Sequence, residues 1–334
     1  MKKFLTLILS ALLLVTCFGA FGCGELEQGK VNIKYYGQAT DVPPLILSGA
    51  ETIGLVPEPA ATALEKNAQN QGKTLYRLDL QELYNKEEKG YPQAVLMVKK
   101  SVLGSHDGIV DVIEQKITES VAWAKQNAAL AVSAIGAHGA TTLKAPALSP
   151  SAIDGCKIYF QSAQDAKTSV KNYVKSIIEI DPTMASAVND DFFYTGSSLT
   201  NNKQSYSFVM PDGAPALAVS KLMNDNSDLS TGKSIDYAVV QAGLIKTYLS
   251  DGEKDFILAP VNIASKFYKE SSADDHYVLV AVITHGNFYI MSTEQITLAD
   301  LDGKQIAVPM MGAVPDWTFK MVLSKHNMSY AVVE

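Results

Sequence analysis

Short apolar runs alternate along this chain with longer segments in which apolar residues return every three or four positions. The apolar runs have the length and the content of β-branched residues that are typical of strands. Strands are predicted at residues 31–36, 52–56, 94–98, 205–209, 234–240, 256–259, 277–284, 288–291, 305–308 and 330–333. Helices are predicted at residues 59–69, 215–224, 261–268 and 314–326. Because strands and helices alternate, the pattern predicts an α/β fold with mostly parallel sheets and flanking helices.

Three further segments complete the pattern. Residues 108–135 and 149–187 have helical spacing, and Pro150 and Pro182 mark turns or helix starts within the second segment. Residues 195–203 are small, polar and without periodicity, which is typical of a linker or of a surface loop.

The first residues have the pattern of an export signal. Two lysines precede an apolar run at residues 4–21, and small residues surround Cys23. This pattern predicts a signal peptide at residues 1–22, with a transmembrane anchor as the alternative. Residues 20–23 resemble a bacterial lipobox, which implies lipidation of Cys23, with Cys17 as the alternative site. We therefore expect an exported protein, anchored to the outer face of the cell membrane by a lipidated tether at residues 23–30.

Composition limits the fold and the partners. A chain of 334 residues that is 47% hydrophobic exceeds what one core usually organises, so two lobes are expected. A net charge of −7 argues against nucleic-acid binding, which needs a basic surface. Arg77 is the only arginine, so a carboxylate ligand clamped by a guanidinium is disfavoured. With Cys23 lipidated, Cys156 has no thiol to pair with. We expect a monomer.

Six stretches of the chain carry a family resemblance. The more specific are Leu-Ala-Asp-Leu-Asp-Gly-Lys at 298–304 and Pro-Glu-Pro-Ala at 57–60. The others lie at residues 210–215, 258–265, 284–290 and 308–312. Together they resemble the substrate-binding proteins of ABC importers for sulfonates, taurine, nitrate and thiamine-type pyrimidines. The resemblance implies a two-lobed fold of the periplasmic-binding-protein type II, and a protein that delivers a small molecule to an ABC permease.

The order of these stretches is exchanged relative to that family. The part that resembles the family's first half lies at residues 205–334, and the part that resembles its second half lies at residues 31–194. The chain therefore resembles a circular permutant, natural or constructed, in which residues 195–203 join the usual termini.

The permuted order implies how the lobes are divided. With crossings near residues 99–104 and 293–303, residues 31–103 plus 304–334 form a smaller lobe and residues 104–303 a larger one. Both termini are then expected in the smaller lobe.

Candidate ligand-binding residues lie where strands run into helices, because ligands of open α/β sheets bind at the carboxyl ends of strands. They are Glu58, Met210, Pro211, Asp212, Gly213, Ala214, Asn262, Gly312, Asp316 and Trp317, with His285, Gly286 and Asn287 between two strands. Asp212, Asn262 and Asp316 are equally suited to cap helices, and Trp317 to the core. The segment 285–287 has the pattern of a hairpin-like or bulged connection. Glu58 is suited to accept a hydrogen bond from a ligand amine.

These features favour a binding protein over an enzyme. The sequence has no nucleophile elbow, phosphate-binding loop, dinucleotide fingerprint or metal motif, so neither cofactor nor metal is expected. The expected mechanism is closure of two lobes over a solute. The ligand favoured is a neutral or cationic heterocycle such as a pyrimidine, and the rival is a sulfonate-type anion held by backbone amides. The alternatives are an enzyme of the pyrimidine or menaquinone pathway type with the same fold, and a ligand-sensing surface receptor.

Overall fold

The structure is a computed structural model that describes residues 26–87, 90–103, 108–196, 203–225, 233–270 and 277–334. The expected signal peptide, both candidate lipidation sites and most of the expected linker lie outside the described residues. The strands are β1 (Val31–Tyr36), β2 (Ile53–Pro57), β3 (Tyr76–Asp79), β4 (Ala94–Lys99), β5 (Ile158–Ser162), β6 (Ser205–Pro211), β7 (Ser234–Val240), β8 (Phe256–Pro260), β9 (Tyr277–Thr284), β10 (Phe288–Ser292), β11 (Gln305–Pro309) and β12 (Tyr330–Val333).

Helices flank these strands on both sheets. They are α1 (Val42–Ser48), α2 (Ala60–Asn70), α3 (Leu80–Tyr84), α4 (Ile109–Gln126), α5 (Ala128–Gly136), α6 (Pro150–Gly155), α7 (Ala163–Ile180), α8 (Ala214–Ala218), α9 (Ser220–Asn224), α10 (Ile245–Asp251), α11 (Val261–Glu270) and α12 (Val314–Lys325). None of the described helices combines the length and the apolarity needed to cross a membrane.

Side-chain caps define where several helices begin. The Asp79 carboxylate accepts a 2.8 Å hydrogen bond from the Gln81 amide at the start of α3. Ser149 and Ser162 accept in the same way at the starts of α6 and α7. Each cap satisfies a backbone donor that the helix itself leaves free, so these polar residues end the preceding loop at a defined point.

The strands form two six-stranded sheets, which confirms the predicted α/β fold. The first sheet has the order β12-β1-β11-β2-β10-β3, and the second has the order β5-β9-β4-β8-β6-β7. Among the described strands, five neighbouring pairs run parallel and five run antiparallel, so the sheets are mixed where mostly parallel sheets were predicted. In the first sheet β10 runs antiparallel to β2 and β3. In the second sheet β4 runs antiparallel to β8 and β9, as does β5 to β9.

The chain passes between the sheets at two places. It leaves the first sheet after β3, enters the second with β4, and returns between β9 and β10. β4 therefore lies in the second sheet and β10 in the first, which differs from the boundaries expected near residues 103 and 303. The return takes only residues 285–287, so this segment is a crossing and not a hairpin.

Aromatic rings pack where the chain first crosses. Tyr84 at the end of α3, Tyr91 in the crossing segment and Tyr173 on α7 contact one another with ring centroids 5.5 to 5.6 Å apart. The Tyr173 hydroxyl shares a 2.7 Å hydrogen bond with Thr318 on α12. Because α7 flanks the second sheet and α12 the first, this contact joins the two sides beside the crossing.

The first and last strands are neighbours in one sheet. β1 lies between β11 and β12 and runs parallel to both. The amide of Val31, the first residue of β1, donates a 2.9 Å hydrogen bond to the carbonyl of Ser329, just before β12. The two described ends of the chain thus belong to the same edge region of the first sheet.

Candidate functional site

The two sheets present strand ends to each other at the crossings. In the second sheet, Ala94 pairs with Pro260 and with Thr284, so the start of β4 is level with the ends of β8 and β9. In the first sheet, Phe288 pairs with Pro57, so the start of β10 is level with the end of β2. Since residues 285–287 connect these two edges, the residues at both edges lie close together. We refer to Glu58, Gln93, Asp212, Asn262, His285 and Asn287 as the junction.

Asn287 links Glu58 to Gln93 at the centre of the junction. Its side-chain amide donates a 3.0 Å hydrogen bond to the backbone carbonyl of Glu58, and its backbone carbonyl accepts a 2.8 Å bond from the backbone amide of Glu58. The Gln93 side chain donates a 3.2 Å bond to Asn287 Oδ1. Sequence analysis missed Gln93, because a lone Gln before a strand carries no signal until the crossing brings it beside Asn287.

The Glu58 carboxylate is held by groups of the protein itself. The residue as a whole is 2% exposed, and its carboxylate accepts hydrogen bonds from the Thr62 amide and hydroxyl and from Arg77, the last at 2.8 Å. The peptide bond between Glu58 and Pro59 is cis. A Cβ added at Gly155 would lie 2.7 Å from Glu58 Cγ, so α6 packs directly against this side chain. Glu58, beside the end of β2 in the first sheet, thus contacts α6, a helix that packs in the apolar cluster of the second sheet.

His285 is buried within the second crossing. Its ring stacks on Tyr159 with centroids 3.5 Å apart, and Nε2 lies 3.2 Å from Gln161 Oε1. Nδ1 has no hydrogen-bond partner among the described residues. Burial lowers the pKa of His285 to about 3, and the nearby Lys157 backbone opposes this only in part. The imidazole is therefore neutral at physiological pH.

Contact with the Tyr91 ring leaves no room for a side chain at position 286. Gly286 has a φ of +87°, and a Cβ there would lie 2.6 Å from the Tyr91 ring. The space that a side chain would occupy is thus filled by the other crossing segment, so this glycine serves packing between the crossings.

Asp212 does not cap a helix as the sequence suggested. The residue before α8 is Gly213, and no side chain caps this helix. Instead Asp212 Oδ2 accepts from the amides of Thr141 and Thr142 at 2.7 and 2.9 Å, and from both hydroxyls. Oδ1 is buried without a partner among the described residues. Asp212 therefore fixes the loop after α5 against the end of β6.

The other predicted residues around Asp212 are mostly structural in their placement. Met210 and Ala214 are buried members of the apolar cluster on one face of the second sheet. Pro211 is the last residue of β6, and Gly213 has a φ of +109° with open space where a side chain would be.

Asn262 is the second residue of α11, inside the helix rather than at its cap. It is 2% exposed, and its side-chain amide donates a 3.3 Å hydrogen bond to the Met184 carbonyl. Its Oδ1 has no partner among the described residues. A buried amide oxygen of this kind is free to accept from a ligand.

Gly312, Asp316 and Trp317 form a separate unit at the start of α12. Asp316 is fully buried and accepts from the Gly312 amide at 2.9 Å, from the Tyr35 hydroxyl at 2.8 Å and from Lys320 at 3.0 Å. The Trp317 indole donates a 2.8 Å bond to the Gly312 carbonyl. Trp317 is 5% exposed in an apolar cluster, which fits the core alternative.

The polar atoms of the junction include amide oxygens as well as potential metal-ligating side chains. Within the described part of the chain, no three side chains of His, Cys, Asp or Glu come together as a metal site requires. Gln93, Asp212 and Asn262 instead offer single oxygen atoms, and His285 offers a ring nitrogen.

Comparison with known proteins gives distant structural similarity. No protein-family model matches the chain, and no curated protein matches it. NikA from Brucella suis, solved with Fe(III)-EDTA, is 9% identical with a TM-score of 0.29, over 80% of this chain and 58% of that one. The oligopeptide-binding protein AppA from Bacillus subtilis is 9% identical with a TM-score of 0.28, over 79% and 57%.

A third similar structure is a substrate-binding protein from Microbacterium hydrocarbonoxydans, solved with 4-hydroxybenzoate hydrazide. It is 9% identical with a TM-score of 0.31, over 81% of this chain and 56% of that one. The chain thus spans less than two thirds of the length of each of these three proteins. Similarity at this level carries no functional argument.

Proposed function

We propose that this chain is the extracytoplasmic solute-binding component of an ABC importer and captures a small molecule at the junction. One observation carries the proposal: buried polar atoms of Gln93, Asp212, Asn262 and His285 have no hydrogen-bond partner among the described residues, and all four residues lie at the junction. Buried polar atoms are normally hydrogen-bonded, and leaving one unpaired costs about 1–3 kcal/mol. Their concentration at one edge supports the binding of a polar ligand there.

The proposed mechanism is closure of the two sheets over the solute, followed by delivery to the permease. The two crossings provide the hinge, because they are where the described strands change sheets. In this proposal Gln93, Asp212, Asn262 and His285 contact the ligand. Residues Glu58, Gly286, Asn287, Gly312, Asp316 and Trp317 support the segments around it.

A ligand screen tests solute binding. The purified protein is melted with pyrimidines, thiamine, riboflavin, taurine, alkanesulfonates, nitrate and amino acids, each in excess. A ligand at a hundred times its dissociation constant adds about 2.7 kcal/mol to the free energy of unfolding. Small-angle scattering with and without the active compound then tests closure. A stabilising compound that leaves the scattering curve unchanged would contradict the hinge mechanism but not binding.

Lipid anchoring at Cys23 is tested separately. In cells given a labelled fatty acid, the unaltered protein should carry label and sediment with membranes. Cys23→Ala should abolish both, while Cys17→Ala should retain them. The opposite result would assign the lipid to Cys17, and unlabelled protein in the cytosol would favour the enzyme alternative.

We propose in addition that the chain is a circular permutant of the family it resembles. The pairing of β1 with β12 supports this, since it places the two described chain ends in one sheet. A rearranged gene that starts at residue 203, joins residue 334 to residue 26 through a short linker and ends at residue 196 should give a protein with the same ligand profile. Failure of that protein to fold would contradict the permutation.

A further inference from the structure

We infer that the ligand of the junction is a hydrogen-bond donor, a neutral or cationic molecule with two or more N–H groups, and not an anion. This rests on the proposed solute-binding function and concerns the polarity of its site. Three side chains of the junction, Gln93, Asp212 and Asn262, each have a buried acceptor oxygen without a partner among the described residues.

The orientation of Gln93 follows from a chain of hydrogen bonds. The Glu58 backbone carbonyl only accepts, so Asn287 must turn its NH₂ group toward it. The Asn287 oxygen then faces Gln93, which must turn its own NH₂ group toward that oxygen. Gln93 Oε1 is therefore the free atom, and it is an acceptor. Rotating either amide would place two acceptors or two donors together.

The same reasoning orients Asn262. The Met184 backbone carbonyl accepts from its NH₂ group, so the free Oδ1 is an acceptor. Asp212 leads to the same result, since its Oδ2 accepts from Thr141 and Thr142 while its buried Oδ1 has no donor in the part of the chain that the structure describes. All three unpaired oxygens thus require donors from a partner.

The three acceptors lie beside the ends of neighbouring strands. Gln93 immediately precedes β4, Asn262 follows β8 by two residues, and Asp212 immediately follows β6. In the sheet, β8 lies between β4 and β6. The start of β4 is level with the end of β8, and β6 runs parallel to β8. Neighbouring strands lie about 4.8 Å apart, so the backbones of β4, β8 and β6 together span about 10 Å. This width suits a substituted heterocycle with donors on opposite sides.

Three cations around the strand ends already have carboxylate partners. Arg77 contacts Glu58 at 2.8 Å and Glu65 at 3.2 Å. Lys320 contacts Asp316 at 3.0 Å, and Lys157 lies 4.0 Å from Asp79. An anion entering between Gln93, Asp212 and Asn262 would meet acceptor oxygens and one carboxylate, which disfavours its binding.

Matched probes test this polarity. The panel pairs 2-aminopyrimidine and 4-aminopyrimidine with their N,N-dimethyl counterparts, which keep the ring but lose both N–H groups, and adds taurine, methanesulfonate and nitrate. Calorimetric titration of the purified protein should show the aminopyrimidines binding at least about tenfold more tightly than the dimethyl compounds. The anions should show no measurable binding.

Variants at Asn262 and a control variant outside the junction test whether the ligand binds at the junction. Asn262→Leu removes the acceptor and should weaken aminopyrimidine binding at least about tenfold, whereas Asn262→Gln keeps an amide that both donates and accepts and should stay within about threefold. Ser220→Ala is the matched control, since it removes an unpartnered buried oxygen on α9, outside the junction. If Asn262→Leu fails to fold, Gln93→Met provides the same comparison.

The possible outcomes separate the donor inference from solute binding itself. Tighter binding of a sulfonate or of nitrate, weakened by Asn262→Leu, would overturn the donor inference and leave solute binding intact. Equal affinity for the amino and dimethyl compounds would also overturn it. If no probe binds, the inference fails together with the pyrimidine and sulfonate ligands of the proposed function.

Discussion

The guanidinium of Arg77 donates a 2.8 Å hydrogen bond to the buried carboxylate of Glu58. Arg77 is the only arginine of the chain, and it also contacts Glu65 and lies over the Tyr289 ring. Its side chain is 35% exposed, whereas that of Glu58 is 1% exposed. The pair therefore anchors the end of β2 from inside the protein, and the single guanidinium is engaged before any ligand arrives.

Replacing Glu58 should therefore reduce stability. Glu58→Ala removes the acceptor of the Thr62 and Arg77 hydrogen bonds, and the expected loss is about 1–3 kcal/mol in the free energy of unfolding, measured with urea. Glu65→Gln is the control, because it alters the more exposed partner of the same arginine and should cost less. Equal losses for the two variants would contradict the anchoring role of Glu58.

Gly286→Ala should destabilise the protein more than Gly312→Ala. Both glycines have positive φ values, +87° and +75°, so both alanines suffer the backbone strain of about 1–2 kcal/mol. Only at Gly286 does the new methyl group also collide with the Tyr91 ring, since a Cβ at Gly312 meets nothing within 4 Å. Urea unfolding of the two variants compares them directly. A smaller loss for Gly286→Ala would show that the crossing segments separate easily.

His285 should make the protein less stable in mild acid. Its pKa is lowered to about 3 by burial, while an unfolded His titrates near about pH 6.5. Between these values the unfolded chain binds a proton that the folded chain does not, so the His285 contribution is complete above the unfolded pKa and is lost as the pH falls toward the folded one. From about pH 7.5 to about pH 5, the unaltered protein should lose about 2 kcal/mol more than His285→Gln.

Urea unfolding of both proteins at the two pH values measures this difference. The remaining histidines are present in both proteins, so they do not affect the comparison. Parallel pH dependence of the two proteins would mean that the imidazole accepts its proton without unfolding.

Lys320→Met should be strongly destabilising. The Lys320 and Asp316 side chains are 8% and 0% exposed, and removing one partner leaves a buried carboxylate without its countercharge. The expected loss is about 3–5 kcal/mol. The double variant Asp316→Asn with Lys320→Met should recover part of it, because no buried charge then remains. A double-mutant cycle from urea unfolding measures the coupling, and simple additivity would contradict it.

The sequence predicted most strands because their apolar runs are continuous and buried. β9, for example, is buried along its whole length and has the predicted bounds. β3 and β5 were missed, because β3 has no buried residue and β5 has one. Such strands are held by backbone pairing with β10 and β9, which leaves little trace in local hydrophobicity.

The sequence pattern also could not predict which of the two sheets each strand joins. β9 and β10 are apolar runs separated by three residues, which is also the spacing of a hairpin. Whether two such strands pair or diverge depends on partners far along the chain. The same limit explains the site. Asp212 is well suited to cap a helix, but in the fold its carboxylate accepts hydrogen bonds from Thr141 and Thr142, which are about 70 residues away in the sequence.

The two crossings also determine where movement is visible. Gly286 in one crossing is packed against Tyr91 in the other, so both lie beside a single rotation axis in the proposed closure. Displacement in a rigid rotation grows with distance from the axis. Spectroscopic labels beside Tyr91 or His285 would therefore report almost no change between open and closed forms. Labels on the helices farthest from the crossings would show the full amplitude of the same rotation.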